Sequence, residues 1–403
     1  MTSGPAGNAM QQVLAGVRVL DFGRFIAAPW CSAILADMGA DVVRIEKRDG
    51  GEDRFIQPVS TTGDGATFLQ CNRNKRSVTI DTTSERGAEL VRRLVAEADV
   101  VVVNMPEKAM RASGLDYDSL RAIKPDIILS CISSFGRGGP YSDRVGFDGI
   151  GQVMSGGVYR SGLPDRPMRS VVPYVDFGTA LSLAIGTMMA LYHKQRTGEG
   201  QEVEAALLPV ALMMTDGMLI DQAMLKSDRG RVGNAGTAAA PCDLFKLRDG
   251  WVLVQVAGQP MFKRWCRLVG QEGWFTDPRF ASDDARATHG AILNARMQAW
   301  CDERTLAKAT AELDAARVPI GPLYSPQQAL DDPHVQAMGF LKPMDYPGLP
   351  APAPVIETPF RMSATPGGIR RRAPTLGEHT DEVLAEIGCA ADEIASLRAD
   401  GII

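Results

Sequence analysis

Asp176 stands at the head of a long uncharged run. In PYVDFGTALSLAIG it follows a proline-bearing turn, and no further charge occurs from Phe177 to Tyr192, before HKQRTGEGQ closes the segment. A carboxylate so placed fits two roles. As a helix N-cap, its oxygens accept free N–H groups of the first turn. As a nucleophile, it relies on those same N–H groups and on the positive end of the helix dipole to stay ionised. The two roles are compatible, and the stretch alone leaves both open.

Other residues of chemical interest are basic. Lys47 and Arg48 follow the run DVVRIEK and suit either a phosphate at a strand end or a solvated charge pair. Arg73, Lys75 and Arg76 in NRNKRSVTIDT read as a solvated face rather than a ligand site. GRGGPYSDRVGFDG carries Arg137 and Arg144 in a glycine-rich loop that lets backbone approach a ligand closely, or serves as a flexible connection. Ser133 and Ser134 lack a G-x-S-x-G setting, which argues against a serine hydrolase. The four histidines show neither HxH nor HExxH spacing, so no metal site is expected.

These residues need a scaffold, and the hydrophobic pattern supplies one. GVRVLDF, DVVRIEK, RSVTIDT, DVVVVNM and DIILSCISSFG are compact strand-like runs. Between them lie helical stretches: WCSAILADMGA with a stop at Gly39, SERGAELVRRLVAEA opened by Ser84, and YDSLRAIKP. Strand–helix–strand units of about 30 residues imply a parallel sheet in a doubly wound, Rossmann-like α/β domain. Glu46 ends the second strand, where a ribose-binding acid would sit. However, GRFIAAP after the first strand has one glycine instead of three, so the dinucleotide fingerprint is missing. EVEAALLPVALMMTDGMLIDQAMLK reads as helix broken near Pro209, its methionines packed in a core or a dimer face. From about Arg229 a hairpin turning at Arg248–Gly250, then helices to Arg317, form a small α+β domain. VPIGPLYSPQQALDDP resembles a linker, and the proline-rich tail is expected to run extended over the surface.

With 403 residues and a net charge of −5, the chain is long enough for two or three domains and too acidic for a general nucleic-acid binder. Seven cysteines without a CxxC pair read as reduced thiols in a cytoplasmic protein. MTSGPAGNAMQQ lacks the pattern of a signal peptide. The Phe177–Tyr192 run is roughly 16 residues, short of the ~20 that span a bilayer, so no membrane association is expected.

Four motifs, in order, resemble one family. LAGVRVLDFGRFIAAPWCSAILADMGADVVRIEK, NRNKRSVTIDT, VDFGTALSLAIG…RTGEGQ and RAPTLGEHTDEVL are similar to class III CoA-transferases, the CaiB/BaiF group. That group includes formyl-CoA transferase and is related to the α-methylacyl-CoA racemases. The similarity runs from about Leu14 to the C-terminus. It implies an enzyme that moves CoA from an acyl-CoA donor to a small carboxylic acid, with CoA as substrate and no tightly bound cofactor. The aspartate of the V-x-D-[FY] motif falls on Asp176, which the resemblance makes the nucleophile, forming an aspartyl anhydride and then an aspartyl–CoA thioester.

By motif position the CoA contacts fall on Phe25, Ile26 and Ala27, on Lys47, on Ile80 and Thr82, and on Asn104 and Met105, with Phe147 beside them. Where relatives carry arginines in an ENFRPG-like stretch, this chain has NMPEKAMRASG, and Lys108 and Arg111 are the substitutes. Racemases of the group use a histidine in GHD; here the stretch is GFD, and Phe147 cannot move a proton. Transferase is therefore preferred to an α-proton racemase or epimerase, and to a non-catalytic acyl-CoA binding protein. GNAGTAAAP replaces the glycine run of oxalate-type transferases, which leaves the acid open. In GEHTDEVLAEIG, Thr380 or His379 is expected to start an amphipathic helix, and His379 is read as part of that start rather than as a base. The expected organisation is a large Rossmann-like domain from residues 1–225 and 326–403, with residues 226–325 as an inserted α+β domain. The resemblance also implies an interlocked homodimer.

Overall fold

The computed structural model describes residues 12–403, so the stretch argued above to lack a signal peptide lies, but for Gln12, outside the described residues. Two compact units emerge, one of residues 12–155, 170–217 and 336–403, the other of residues 156–169 and 218–335.

In the first unit the expected alternation runs β1 Arg18–Asp21, α1 Ala27–Asp37, β2 Asp41–Glu46, α2 Ala66–Cys71, β3 Lys75–Thr79 and α3 Glu85–Ala96. It continues with β4 Val100–Val103, α4 Glu107–Ala112, α5 Tyr117–Ile123, β5 Ile128–Ser133 and α6 Asp148–Met154. Then come α7 Tyr174–Thr197, β6 Glu202–Ala206 and α8 Leu207–Met213. The six strands form one parallel sheet in the order β3-β2-β1-β4-β5-β6.

Strand alternation explains why VVVV is wholly apolar. Val101 and Val103 face one core with Leu90 and Leu94 of α3 and with Val383, Leu384 and Leu397 near the C-terminus. Val100 and Val102 face the other, with Ile34 and Leu35 of α1 and Ala180, Leu183 and Ala184 of α7. The helix starts follow their caps: Ser84 Oγ accepts the Gly87 N–H at 3.0 Å, and Asp116 Oδ1 accepts that of Ser119 at 3.3 Å.

Four expectations need correction here. EVEAA is the sixth strand, not helix, and pairs with β5 from Leu129↔Glu202 to Ser133↔Ala206. Pro209 does not break the helix that follows; it sits in the first turn of α8, where its missing N–H has no intrahelical acceptor to lose. The apolar run is also longer than its uncharged centre, because α7 extends to 24 residues. Among the described residues, α7 is the one single helix long and apolar enough by length and composition to cross a membrane. Here its small residues lie against α1 and the sheet. The proline-rich tail does not simply run extended: Leu341–Met344 and Ala353–Ile356 pair as an antiparallel hairpin.

The second unit holds a three-stranded antiparallel sheet of Ile320–Pro322, Trp251–Gln255 and Cys242–Lys246. The hairpin turns at residues 247–250, as its turn residues predict. Its core joins Val252 and Val254 to Trp265, Phe280, Leu293 and Leu313. The stretch taken for a linker is ordered. It carries the strand Ile320–Pro322 and a helix Pro326–Asp331, which Ser325 and Gln328 start with a reciprocal capping box.

Candidate active site

Strand order reverses between β1 and β4, and in open parallel sheets the crevice outside the strand ends at that point is where ligands bind. Two clefts meet there. The first, about 330 Å³, runs from the loop after β1 past Asn104 and Met105 to the 133–147 loop and Asp176. The second, about 310 Å³, lies over the ends of β2 and β3, with Lys47, Ile80 and Thr82 in its wall. Arg24, Asn104 and Met105 belong to both.

The loop after β1 is held from beneath by buried charge. Asp21 Oδ1 accepts the Gly23 N–H at 2.7 Å, and Asp21 Oδ2 accepts Lys75 Nζ at 2.7 Å and Ser32 Oγ at 2.8 Å. Arg44 Nη1 donates to the Gly23 carbonyl at 3.1 Å. A Cβ on Gly23 would come within 2.7 Å of Ala28 Cβ and of Asp21 Oδ1, so no larger residue fits. Asn104 then clamps the two sides of the switch point. Its Oδ1 accepts the Arg24 N–H at 2.8 Å and its Nδ2 donates to the Arg24 carbonyl at 2.7 Å. Phe25 sits at φ 63°, a costly conformation for a non-glycine residue. Its ring meets that of Phe147 edge-on at 5.4 Å.

The basic cluster before β3 is therefore not a solvated face. Arg73 pairs with Asp37 at 2.6 Å, Lys75 with Asp21, and Arg76 with Asp41 at 2.6 Å, and all three are buried. Glu46 is likewise no ribose ligand. Burial opposes its ionisation, but Arg44 and Arg54 hold its pKa down to about 2, and both its oxygens receive Arg54.

Asp176 lies in the first turn of α7, half-buried on the wall of the first cleft. It is not the cap of its own helix. Asp148, in the first turn of α6, accepts the N–H of Val175 at 2.8 Å and of Asp176 at 3.1 Å on its Oδ2. Tyr174 N–H goes to the Val172 carbonyl at 2.9 Å. No hydrogen bond reaches the Asp176 carboxylate among the described residues. The expectation that helix N–H groups keep it ionised is thus overturned. Burial, and then the neighbouring Asp148, push its pKa up to about 7.

Between the ordinary carboxylate range and about pH 7, the folded chain keeps a proton on Asp176 that the unfolded chain has released. Stability contributed at this site therefore falls as pH rises through that window. Asp176→Asn should stabilise the fold by about 1–2 kcal/mol at pH 8 once solvent exposure is allowed for. Calorimetry should show a gain of a few degrees in Tm at pH 8 and less than half of it near pH 5. Equal gains at both pH values would contradict the assignment.

The family model of CoA-transferase family III matches residues 14–380. The chain belongs to CoA-transferase family III. A succinate–glutarate CoA-transferase of Agrobacterium fabrum is 36% identical over 93% of this chain and 95% of its own length. A succinyl-CoA–D-citramalate CoA-transferase of Chloroflexus aurantiacus is 33% identical over 97% of this chain and 98% of its own. The crystal structure of a CaiB/BaiF family protein from Brucella suis superposes with a TM-score of 0.82 at 34% identity, covering 94% of this chain and all of that one. As a family III CoA-transferase, the chain is an enzyme handling CoA thioesters and carboxylic acids.

For this CoA-transferase the sites read from sequence separate into two groups. Asp176, Phe25, Ile26, Ala27, Asn104, Met105 and Phe147 line the first cleft; Lys47, Ile80 and Thr82 line the second. Lys47 is exposed and 3.3 Å from Glu52. Lys108 and Arg111 are not brought to either cleft. Both are exposed on α4, and Arg111 turns back to Glu107 one helical turn away at 2.8 Å. His379 does precede a helix, Thr380–Glu386, but sits outside both clefts, with Nδ1 accepting the Ser77 N–H at 3.3 Å. Sequence reading missed Arg24 and Asp148. Arg24 precedes Phe25 directly, and Asp148 is the acid of GFD.

Proposed function

We propose that this enzyme moves CoA from an acyl-CoA to a carboxylic acid through covalent intermediates on Asp176. The carrying observation is the setting of Asp176: a half-buried carboxylate on the cleft wall at the switch point, with no hydrogen bond to it among the described residues and its pKa raised to about 7 by burial and then by Asp148. A structural carboxylate would be paired; this one is left basic and accessible, as a nucleophile must be.

The carboxylate oxygen attacks the thioester carbonyl and expels CoA thiolate, giving a mixed anhydride. The thiolate attacks the aspartyl carbonyl, releases the donor acid and leaves an aspartyl–CoA thioester. The acceptor carboxylate attacks that thioester, again expelling the thiolate, which then takes the acceptor's acyl carbon and frees Asp176. Atoms and charge balance without water or any redox partner. Oxyanions formed in these steps need N–H donors. Those at the start of α7 are taken, so the first turn of α1 at Ile26 and Ala27, whose N–H groups have no intrahelical acceptors, is the available source.

CoA would lie across both clefts, against Phe25, Ile26, Ala27, Asn104 and Met105, with Lys47, Ile80 and Thr82 toward its nucleotide end and Phe147 beside the thioester. Arg24 is the favoured phosphate ligand, because its Nη1 is buried without a partner. Two relatives are named for succinate or succinyl-CoA, so short dicarboxylic acids are the first acceptors to assay. The reading extends to an interlocked homodimer, supported by the exposed stripe Leu181, Ile185, Met189 and Tyr192 on α7. It extends to an inserted domain, supported by the second compact unit, and to a cytoplasmic enzyme, supported by seven free thiols.

The test is a single turnover with acceptor acid labelled in its carboxylate with heavy oxygen. One labelled oxygen should appear in the peptide containing Asp176. A product acyl-CoA formed with no label in that peptide would show that the acceptor never bonded to it.

A further inference from the structure

Asp148 is a second acid that the reaction above does not use, and it is built into the site with unusual completeness. It is buried. Its Oδ2 takes the N–H groups of Val175 and Asp176, and its Oδ1 receives Gln152 Nε2. Gln152 is itself held, its Oε1 accepting the Ser170 N–H at 2.9 Å. α6 is thereby tied across to the start of α7, and a carboxylate lies beside the nucleophile's own backbone.

We propose that Asp148 is a positioning residue for Asp176: it occupies the N–H groups that would otherwise stabilise the nucleophile's charge and places a second negative charge next to it. This rests on Asp176 being the nucleophile. The physical reasoning is that an aspartate in the first turn of a helix normally borrows the end of the dipole, which lowers its basicity. Asp148 intercepts that stabilisation. Asp176 is left a stronger base and hence a better attacking group, and the backbone that carries it cannot rotate away from the cleft.

The other groups facing the pair do not supply this effect. Cys71 and Tyr174 are uncharged at neutral pH, and Tyr174 is pushed up, first by burial and then by Asp148. In the same cleft Arg137 is paired to Glu202 and Glu107 to Arg111; Arg144 lies over the Tyr141 ring at 4.3 Å, and Arg24 at the far mouth.

Two substitutions test the assignment, and wild-type exchange is measured alongside so that failure of the nucleophile reading is seen separately. Asp148→Asn keeps one acceptor oxygen and removes the charge. The pH midpoint of the acylation rate should fall from near 7 by about one to two pH units, with a tenfold or greater loss in limiting rate at high pH and no change in Kd for CoA. Asp148→Glu keeps the charge but shifts it by one methylene. It should hold the midpoint within about 0.5 and lose about tenfold in kcat through misplacement of the helix start. Carbon-13 NMR of labelled aspartate gives the Asp176 titration without any assay, for whichever variant folds. A rate loss uniform across pH with the midpoint unmoved in Asp148→Asn would overturn the proposal, as would wild-type kcat in Asp148→Glu.

Discussion

Asp176→Ala should reduce CoA exchange by at least about three orders of magnitude while leaving the affinity for CoA within about twofold. The size of the loss follows from the route. Each of the four steps makes or breaks a bond to the Asp176 carboxyl, so no partial pathway survives its removal. Retained binding follows from geometry, because the second cleft does not include Asp176, and the first keeps the Arg24–Asn104 clamp and the 133–147 loop when that side chain is removed. Residual exchange near wild-type level would end the covalent account. Loss of CoA binding together with activity would make Asp176 a structural residue instead.

The second large effect is expected at Arg24. Arg24→Met should weaken CoA binding about 10- to 100-fold at fixed ionic strength, the range for one charge-assisted bond of about 1.5–3 kcal/mol. Its backbone is fixed by Asn104, and its Nη1 is enclosed without an acceptor close to Gly51, where a Cβ would come within 2.9 Å of it. A buried donor in that state gains most from an anion. Lys47 is solvent-facing and already shares Glu52, so Lys47→Met should cost much less. Titration calorimetry of both variants with CoA measures the difference. Equal losses would place the phosphates in the second cleft rather than between the two.

Much of this was legible in the residues. The valine-rich runs became strands because both faces of a parallel sheet are buried, and a single composition satisfies both. Asp176 was conspicuous as the one acid before a run uncharged from Phe177 to Tyr192, but the stretch alone fitted a cap as well, and it was the V-x-D-[FY] resemblance that singled it out. What could not be read depends on partners far along the chain. Asp148 reaches the start of α7 from 28 residues away. Arg73, Lys75 and Arg76 find carboxylates 36, 54 and 35 residues distant, so a run that looks solvated locally is buried ion pairs in the fold. β6 was hidden for a different reason: as an edge strand it is only partly buried, and its acids broke the apolar pattern. The direction of the Asp176 shift was misread on the same ground. The helix end was foreseen, but not the burial of the carboxyl, nor the second carboxylate that takes the N–H groups.

The most direct test is to quench the enzyme during steady turnover with an acyl-CoA, treat it with hydroxylamine and map the product by mass spectrometry. An aspartyl hydroxamate is expected on the Asp176 peptide, absent without acyl-CoA and absent in Asp176→Ala. Turnover that proceeds while the hydroxamate forms on another residue, or on none, would contradict the covalent route through Asp176.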